Sequence, residues 1–228
     1  MSQLALPLRL ADHAVFGSFL ATGNETLVAT LTELAEGRAG AGCWLWGAAA
    51  TGKTHLLQAV CDRAGDRAVY LPLAQFAAAD PGLLEGMASR ELICLDDIHA
   101  VAGSAAWERG LFGLANQILD ASRALIVAAA MPPRRCPIEL PDLASRLARL
   151  PVFQANPLAD GDRAAALQLR ARHRGLELPD DTARYLLTRS RRDMTSLYAL
   201  LDRLDRESLR AQRRLTVPFV RDVLAKRG

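Results

Sequence analysis

The run Gly47-Ala-Ala-Ala-Thr-Gly52-Lys53-Thr54 satisfies the pattern G-x-x-x-x-G-K-[ST] at every specified position. Its glycines let the backbone curl until several amides face one point, and a helix starting there adds its partial positive charge. That geometry suits the phosphates of a nucleotide. Lys53 is placed to bridge β- and γ-phosphates, and the Thr54 hydroxyl to hold Mg²⁺. The expected ligand is a purine nucleoside di- or triphosphate, ADP or ATP. Farther along, Leu92-Ile-Cys-Leu95 ends in Asp96-Asp97. An acid at the carboxyl end of a neighbouring parallel strand reaches the water shell of such a Mg²⁺, which makes Asp96 the expected metal partner. Asp97 stands where an acid orients an attacking water. A merely charged strand end is the alternative.

Other positions carry weaker signals. The apolar run from Ala124 ends in Ala128-Ala129-Ala130, which has nothing to donate to a γ-phosphate, and this argues against efficient hydrolysis by the chain alone. Asp142-Leu-Ala-Ser-Arg146-Leu-Ala-Arg149 places Arg146 on a short helix with Leu143 and Leu147 facing inward. An arginine offered to a neighbour's γ-phosphate neutralises transition-state charge; a solvated surface arginine fits the same pattern. Arg191-Arg192 begins a helix, where two basic residues oppose the helix dipole and suggest a compensating anion, such as phosphates under a lid.

These residues need a frame. Cys43–Trp46, Val69–Leu71, Leu92–Leu95, Leu125–Val127 and Val152–Phe153 are short apolar runs alternating with helix-like stretches. Runs apolar on both faces and spaced by helices indicate an α/β fold with a parallel five-stranded sheet flanked by helices. The helix after the loop is apolar at Leu56, Leu57, Val60 and Cys61, and Asp80-Pro81 reads as another helix start. After Pro157 the pattern is all-helical, with helices expected near 160–174, 180–189, 194–210 and 217–226, the last started by Thr216 and Pro218. The expected organisation is an amino-terminal peptide (1–12), an α/β domain (13–156) and a helical lid (157–228).

Composition sets the bounds. Half of the 228 residues are apolar and 23% are charged, which excludes a disordered chain. No apolar run reaches the ~18 residues of a membrane span. The four cysteines are far apart and read as small buried hydrophobes in a reducing compartment, the cytoplasm by default. Residues 1–156 carry 12 basic and 15 acidic side chains, whereas residues 157–228 carry 16 and 10. A basic second domain suits nucleic acid, nucleotide phosphates, an acidic partner or simply solvent. At the amino terminus, alternating Leu4, Leu6 and Leu8 around Pro7 fit an extended peptide filling pockets on another protein and equally a strand on the sheet edge.

Together these residues resemble the AAA+ ATPases of the DnaA type, and among them the short DnaA homologues that regulate replication initiation. The likeness extends over essentially the whole chain. Gln3-Leu4-Ala5-Leu6-Pro7-Leu8 is similar to the Q-L-x-L-P-L peptide that binds the sliding clamp, which implies clamp contacts for Gln3, Leu4, Leu6, Pro7 and Leu8. Phe16-Gly-Ser-Phe19 with Gly23-Asn24 resembles the segment covering the adenine, and Gly103 to Asn116 the helix after the Walker B strand. Pro132-Pro133 with Leu140-Pro-Asp-Leu-Ala-Ser-Arg146-Leu resembles the arginine-finger region, Arg192 falls at the sensor-2 arginine, and Leu215–Val220 resembles the final helix. The chain departs from the family at Ala130, where a sensor-1 aspartate is usual. It also stops at Gly228 without the helix-turn-helix that reads double-stranded DNA, so no sequence-specific DNA reading is expected. The resemblance implies a nucleotide-bound regulator tethered to the clamp's β subunit near the nucleoid, with weak or no ATPase of its own, that promotes ATP hydrolysis by DnaA through Arg146 and prevents re-initiation. It leaves room for a homo-oligomer. The rival readings are a self-sufficient ATPase or helicase loader, and a nucleotide-gated adaptor without catalysis in trans.

Overall fold

A computed structural model describes residues 14–38, 40–189 and 194–225. In chain order the elements are α1 (Glu25–Ala35), β1 (Gly42–Trp46), α2 (Lys53–Ala64), β2 (Ala68–Pro72), α3 (Leu73–Phe76), β3 (Leu92–Asp96) and α4 (Ala105–Asp120). β4 (Ala124–Ala129), α5 (Pro141–Leu147), β5 (Val152–Gln154), α6 (Arg163–His173), α7 (Asp180–Arg189), α8 (Met194–Ala211) and α9 (Val217–Ala225) follow.

The five strands form one parallel sheet in the order β2-β3-β4-β1-β5. Every residue of β3 and β4 is buried, which is why both read as unbroken apolar runs. On one face Trp44, Ile93, Leu95, Leu125 and Val127 join a core with Trp107, Leu111 and Ile118 of α4 and Leu143 and Leu147 of α5. Facing the other way, Cys94 meets Cys61 of α2. All four cysteines are free and buried. Burial pushes the Cys43 thiol up to about 12, so it packs as a neutral small hydrophobe. β1 lies between the central strand β4 and the edge strand β5, and its carboxyl end delivers the Gly47–Thr54 loop to the side of the sheet where β3 and β4 also end.

One expected helix is not formed. After Asp80-Pro81 the chain makes a single 3-10 turn, Pro81–Leu84, although Asp80 does cap it by accepting from the Gly82 N–H at 2.7 Å. The chain leaves helical geometry at Glu85, which is extended at ψ 135°, and Gly86, at φ +79°, leads into a separate 3-10 turn, Met87–Ser89.

Contacts divide the chain into two compact units: Asn24–Pro157 with the residues up to Phe16, and Gly17–Gly23 with the residues from Leu158 on. The second unit is helical. Leu167, Leu186, Leu197, Leu201, Leu204, Phe219 and Val220 form its core, and α9 opens where the Thr216 carbonyl accepts the Val220 N–H at 2.9 Å. Nearly buried Arg174 pairs with Asp202 at 2.5 Å and tethers α6 to α8. The short segment from Gly17 joins this unit closely: a Cβ at Gly17 would stand 2.8 Å from the His173 ring. Among the described residues no helix is long and apolar enough to cross a membrane.

Candidate functional site

The loop between β1 and α2 needs glycine at both specified positions. A Cβ on Gly47 would lie 2.6 Å from the Ala155 carbonyl oxygen, and the Gly47 N–H donates to the Ala129 carbonyl at 3.3 Å. Gly52 caps α2 at φ +90°, a left-handed conformation that other residues adopt only with strain, and its carbonyl accepts the first helical bond from Leu56 at 2.9 Å. No side chain caps this helix start. Its amides and its dipole are therefore open to an anion.

Lys53 is the first residue of α2 and only 8% exposed. Its ammonium donates to the carbonyls of Gly47 at 2.7 Å and Ala48 at 2.9 Å. Burial lowers its pKa, opposed by the charges of Asp97 and Asp96. A buried cation turned onto neutral loop carbonyls at an uncapped helix start is an arrangement that a phosphate completes.

Asp96 ends β3 at 2% exposure. Its Oδ2 accepts from the Thr54 hydroxyl at 2.7 Å and from the Tyr70 hydroxyl at 2.9 Å, while Oδ1 accepts from the Asp97 N–H at 3.1 Å. Burial raises the carboxyl above its ordinary range. The Thr54 hydrogen bond works against that, the Asp97 charge adds to it, and the bonds from Tyr70 and the Asp97 N–H oppose it. Thus Asp96, 42 residues from Thr54, shares one site with the adjacent pair Lys53 and Thr54. Asp97 adjoins them in the left-handed region at φ +54°, which turns the chain into the 3-10 turn Ile98–Ala100. Among the described residues no group of three or more His, Cys, Asp and Glu is assembled to hold a metal by itself. The donor set of one hydroxyl and one carboxylate suits Mg²⁺ that takes its remaining ligands from nucleotide phosphates and water.

Arg146 lies on α5, whose Leu143 and Leu147 are each 1% exposed, as the inward-facing pattern predicts. Its guanidinium pairs with Asp120, the last residue of α4, rather than with the Lys53–Asp96 group. Arg149 is exposed. The approach to α5 is held by Glu108, itself 2% exposed: its carboxylate accepts from the N–H groups of Gly103 and Leu140, each at 2.7 Å, and of Glu139 at 3.0 Å. Upstream, the Val15 carbonyl meets His55 Nε2 of α2 at 3.0 Å. Gln3, Leu4, Leu6, Pro7 and Leu8, and also Arg192, lie outside the described residues.

Sequence reasoning missed Tyr70, Glu108 and Asp120. Tyr70 had a findable signal: it is the one polar-tipped residue in an apolar strand, pairing with Cys94 two positions before Asp96 in the register. Glu108 also stood out, as an acid between Trp107 and Leu111 on an apolar helix face. Asp120 carried no pattern.

Residues 160–224 match the model of the Hda lid-domain family. Domain III of the Thermotoga maritima replication initiation protein DnaA superposes with a TM-score of 0.78 at 17% identity, over 96% of this chain and 98% of that one. AMPPCP-bound DnaA from Aquifex aeolicus gives 0.69 at 22% identity over 85% of this chain, which spans 65% of that longer one. A single-substitution variant of Thermotoga maritima RuvB gives 0.64 at 16%, over 91% and 69%. At such identities the three structures establish the fold, and the lid supplies the narrower likeness. The parallel sheet in the order β2-β3-β4-β1-β5, with the Gly47–Thr54 loop at its edge, thus shares the fold of DnaA domain III, and residues 160–224 carry a lid domain of the Hda family.

Proposed function

We propose that this protein is a regulator of the replication initiator DnaA: held at the sliding clamp, with ADP or ATP and Mg²⁺ in its own loop, it docks on ATP-bound DnaA and speeds hydrolysis there. The observation that carries this reading is the Hda lid-domain match at residues 160–224, joined to a body of DnaA-like fold. In its own site Gly47, Gly52 and Lys53 hold the phosphates, and Thr54 with Asp96 hold the metal. Asp97 lies next to them as the candidate acid for orienting water, and Arg192 is the candidate lid contact. Bound nucleotide orders the surface that meets DnaA. Arg146 is the group given to the partner's γ-phosphate, where a guanidinium acts mainly on transition-state charge and raises hydrolysis by about 10³–10⁵ in the best-studied cases. Gln3, Leu4, Leu6, Pro7 and Leu8 form the clamp peptide. Confinement at the clamp multiplies a weak DnaA contact by about 10²–10⁴ through effective concentration.

A hydrolysis assay on ATP-loaded DnaA tests the reading, with this protein and clamp-loaded DNA each omitted in turn. The expected result is rapid turnover only in the complete mixture. Steady turnover by this chain alone would favour a self-sufficient ATPase instead.

A further inference from the structure

Residues 157–228 carry 16 basic and 10 acidic side chains, an excess that neither the Lys53–Asp96 group nor Arg146 accounts for. Several arginines of the second unit have a structural task. Arg163 pairs with Asp160 and Arg174 with Asp202, Arg203 donates to the Val223 carbonyl at 2.8 Å, and Arg170 lies 4.3 Å over the Tyr198 ring. The surplus gathers where α8 ends. Residues 206–214 hold four arginines, Arg206, Arg210, Arg213 and Arg214, against a single acid, Glu207. Since α8 buries Leu197, Leu201, Leu204 and Ser208, Arg206 and Arg210 fall one turn apart on its outer face. Gln212, left-handed at φ +51°, then turns the chain out of the helix, and the Arg213 N–H fixes the turn by donating to the Ser208 carbonyl at 3.1 Å. Arg213 lies 5.1 Å over the Phe219 ring and pairs loosely with Asp222 at 3.5 Å. Arg210 pairs with Glu207 and is 75% exposed. All four arginines are exposed, and among the described residues Arg206 and Arg214 have no acidic partner.

We infer that this end of α8 binds the phosphate backbone of double-stranded DNA without reading its sequence. Like charges one turn apart on an ordered helix end repel one another, and a polyanion relieves that repulsion while releasing its own condensed counterions. All four side chains are arginines, whose planar fork meets phosphate oxygens in paired hydrogen bonds. A protein partner would call for an apolar or aromatic centre, and this face offers only Leu209, 71% exposed. The inference rests on the second unit alone and stands whether or not the chain is held at a clamp. If it is, contacts that ignore sequence give it a second hold on whatever DNA the clamp encircles.

Fluorescence anisotropy of a short labelled duplex of arbitrary sequence, titrated with the full chain at salt from about 50 to 200 mM, tests the inference. With all four arginines on phosphates, log affinity in the parent should fall against log salt with a slope of about −3.6, or about −0.9 for each contact. Arg206→Gln/Arg214→Gln breaks no ion pair among the described residues. It should flatten the slope by about 1.8 and weaken binding about tenfold or more at the low-salt end. Arg206→Lys/Arg214→Lys keeps both charges and should keep the slope. Arg172→Gln/Arg184→Gln removes the same charge from exposed positions on α6 and α7 and should leave the slope unchanged. No duplex binding by the parent at low salt, an unchanged slope in Arg206→Gln/Arg214→Gln, or equal flattening by the α6–α7 pair would overturn the inference. So would a loss of affinity at unchanged slope in Leu209→Ser, which would mark the face as an apolar docking site for a protein.

Discussion

Arg146 on α5 is ion-paired with Asp120, the final residue of α4. The arginine is 25% exposed and the aspartate 71%, so water reaches the pair from the acid side. Among the described residues Arg146 Nε, and Asn116 Oδ1 on α4, are both buried without hydrogen-bond partners. The guanidinium thus joins α5 to the end of α4 with part of its hydrogen-bonding capacity unused. A pair this open contributes about 0–1 kcal/mol, weak enough to be exchanged for a multiply charged phosphate.

Asp120→Asn should therefore leave folding nearly unchanged, within about 1 kcal/mol by denaturant titration. At subsaturating DnaA it should raise stimulated turnover, by no more than the roughly fivefold that such an energy represents. The gain should shrink with added salt, which screens the pair in the parent protein. A loss of turnover in a stable variant would show that Asp120 orients the arginine instead of restraining it.

Tyr70 donates to the same Asp96 oxygen as Thr54. Burial raises its phenol pKa, with the Asp96 charge adding to the shift, so it remains a protonated donor. When the Thr54 oxygen turns to a cation, Tyr70 keeps the carboxylate aimed. Tyr70→Phe should cut the Mg²⁺-dependent part of nucleotide affinity by about tenfold, the lower end of the range for groups that orient a metal ligand, and leave affinity in EDTA unchanged. Titrations with and without Mg²⁺ decide the matter. An equal change in both would mean that the tyrosine only packs.

The raised pKa of Asp96 gives a stability prediction with a definite sign. An unfolded aspartate ionises at about pH 4, whereas the folded chain takes on the carboxylate only above the raised value, and there its surroundings disfavour it. This group opposes folding near neutrality, and its penalty fades as pH falls through the raised value. Asp96→Asn should then melt higher than the parent near pH 7, by about 2–4 °C if the relief is about 1 kcal/mol. The gap should close on acidification towards pH of about 4. Nucleotide-free thermal melts over this range would expose a gap that fails to close. The same variant should lose Mg²⁺-dependent nucleotide binding, so that a gain in stability accompanies a loss of function.

What could be read from sequence divides along physical lines. β3 and β4 were legible because both faces of the sheet are covered there, which leaves short unbroken apolar runs such as Leu92–Leu95. The loop was legible because its backbone geometry admits few residues: Gly47 has no room for a Cβ and Gly52 is left-handed. α5 was legible from its two buried leucines. The pairing of Arg146 with Asp120 was not, since it joins residues 26 apart across two helices and depends on how those helices pack. The 3-10 turn after Asp97 depends on a left-handed non-glycine residue, which propensity does not foresee. The Asp80-Pro81 signal was read correctly as a cap, but its reach was overestimated because the chain becomes extended at Glu85 after one turn.

The central claim is catalysis in trans by Arg146, and one comparison tests it most directly: clamp-dependent hydrolysis of DnaA-bound ATP with the parent protein, Arg146→Ala, Arg146→Lys and Arg149→Ala. Arg146→Ala should retain its own nucleotide and clamp binding but lose stimulation by about 10³-fold or more, down to the rate of DnaA alone. Arg146→Lys should recover little, because an ammonium lacks the planar fork that matches phosphate oxygens. Arg149→Ala, at an exposed position on the turn after α5, should remain largely active. Full stimulation by Arg146→Ala would contradict the account and leave a nucleotide-gated adaptor in its place.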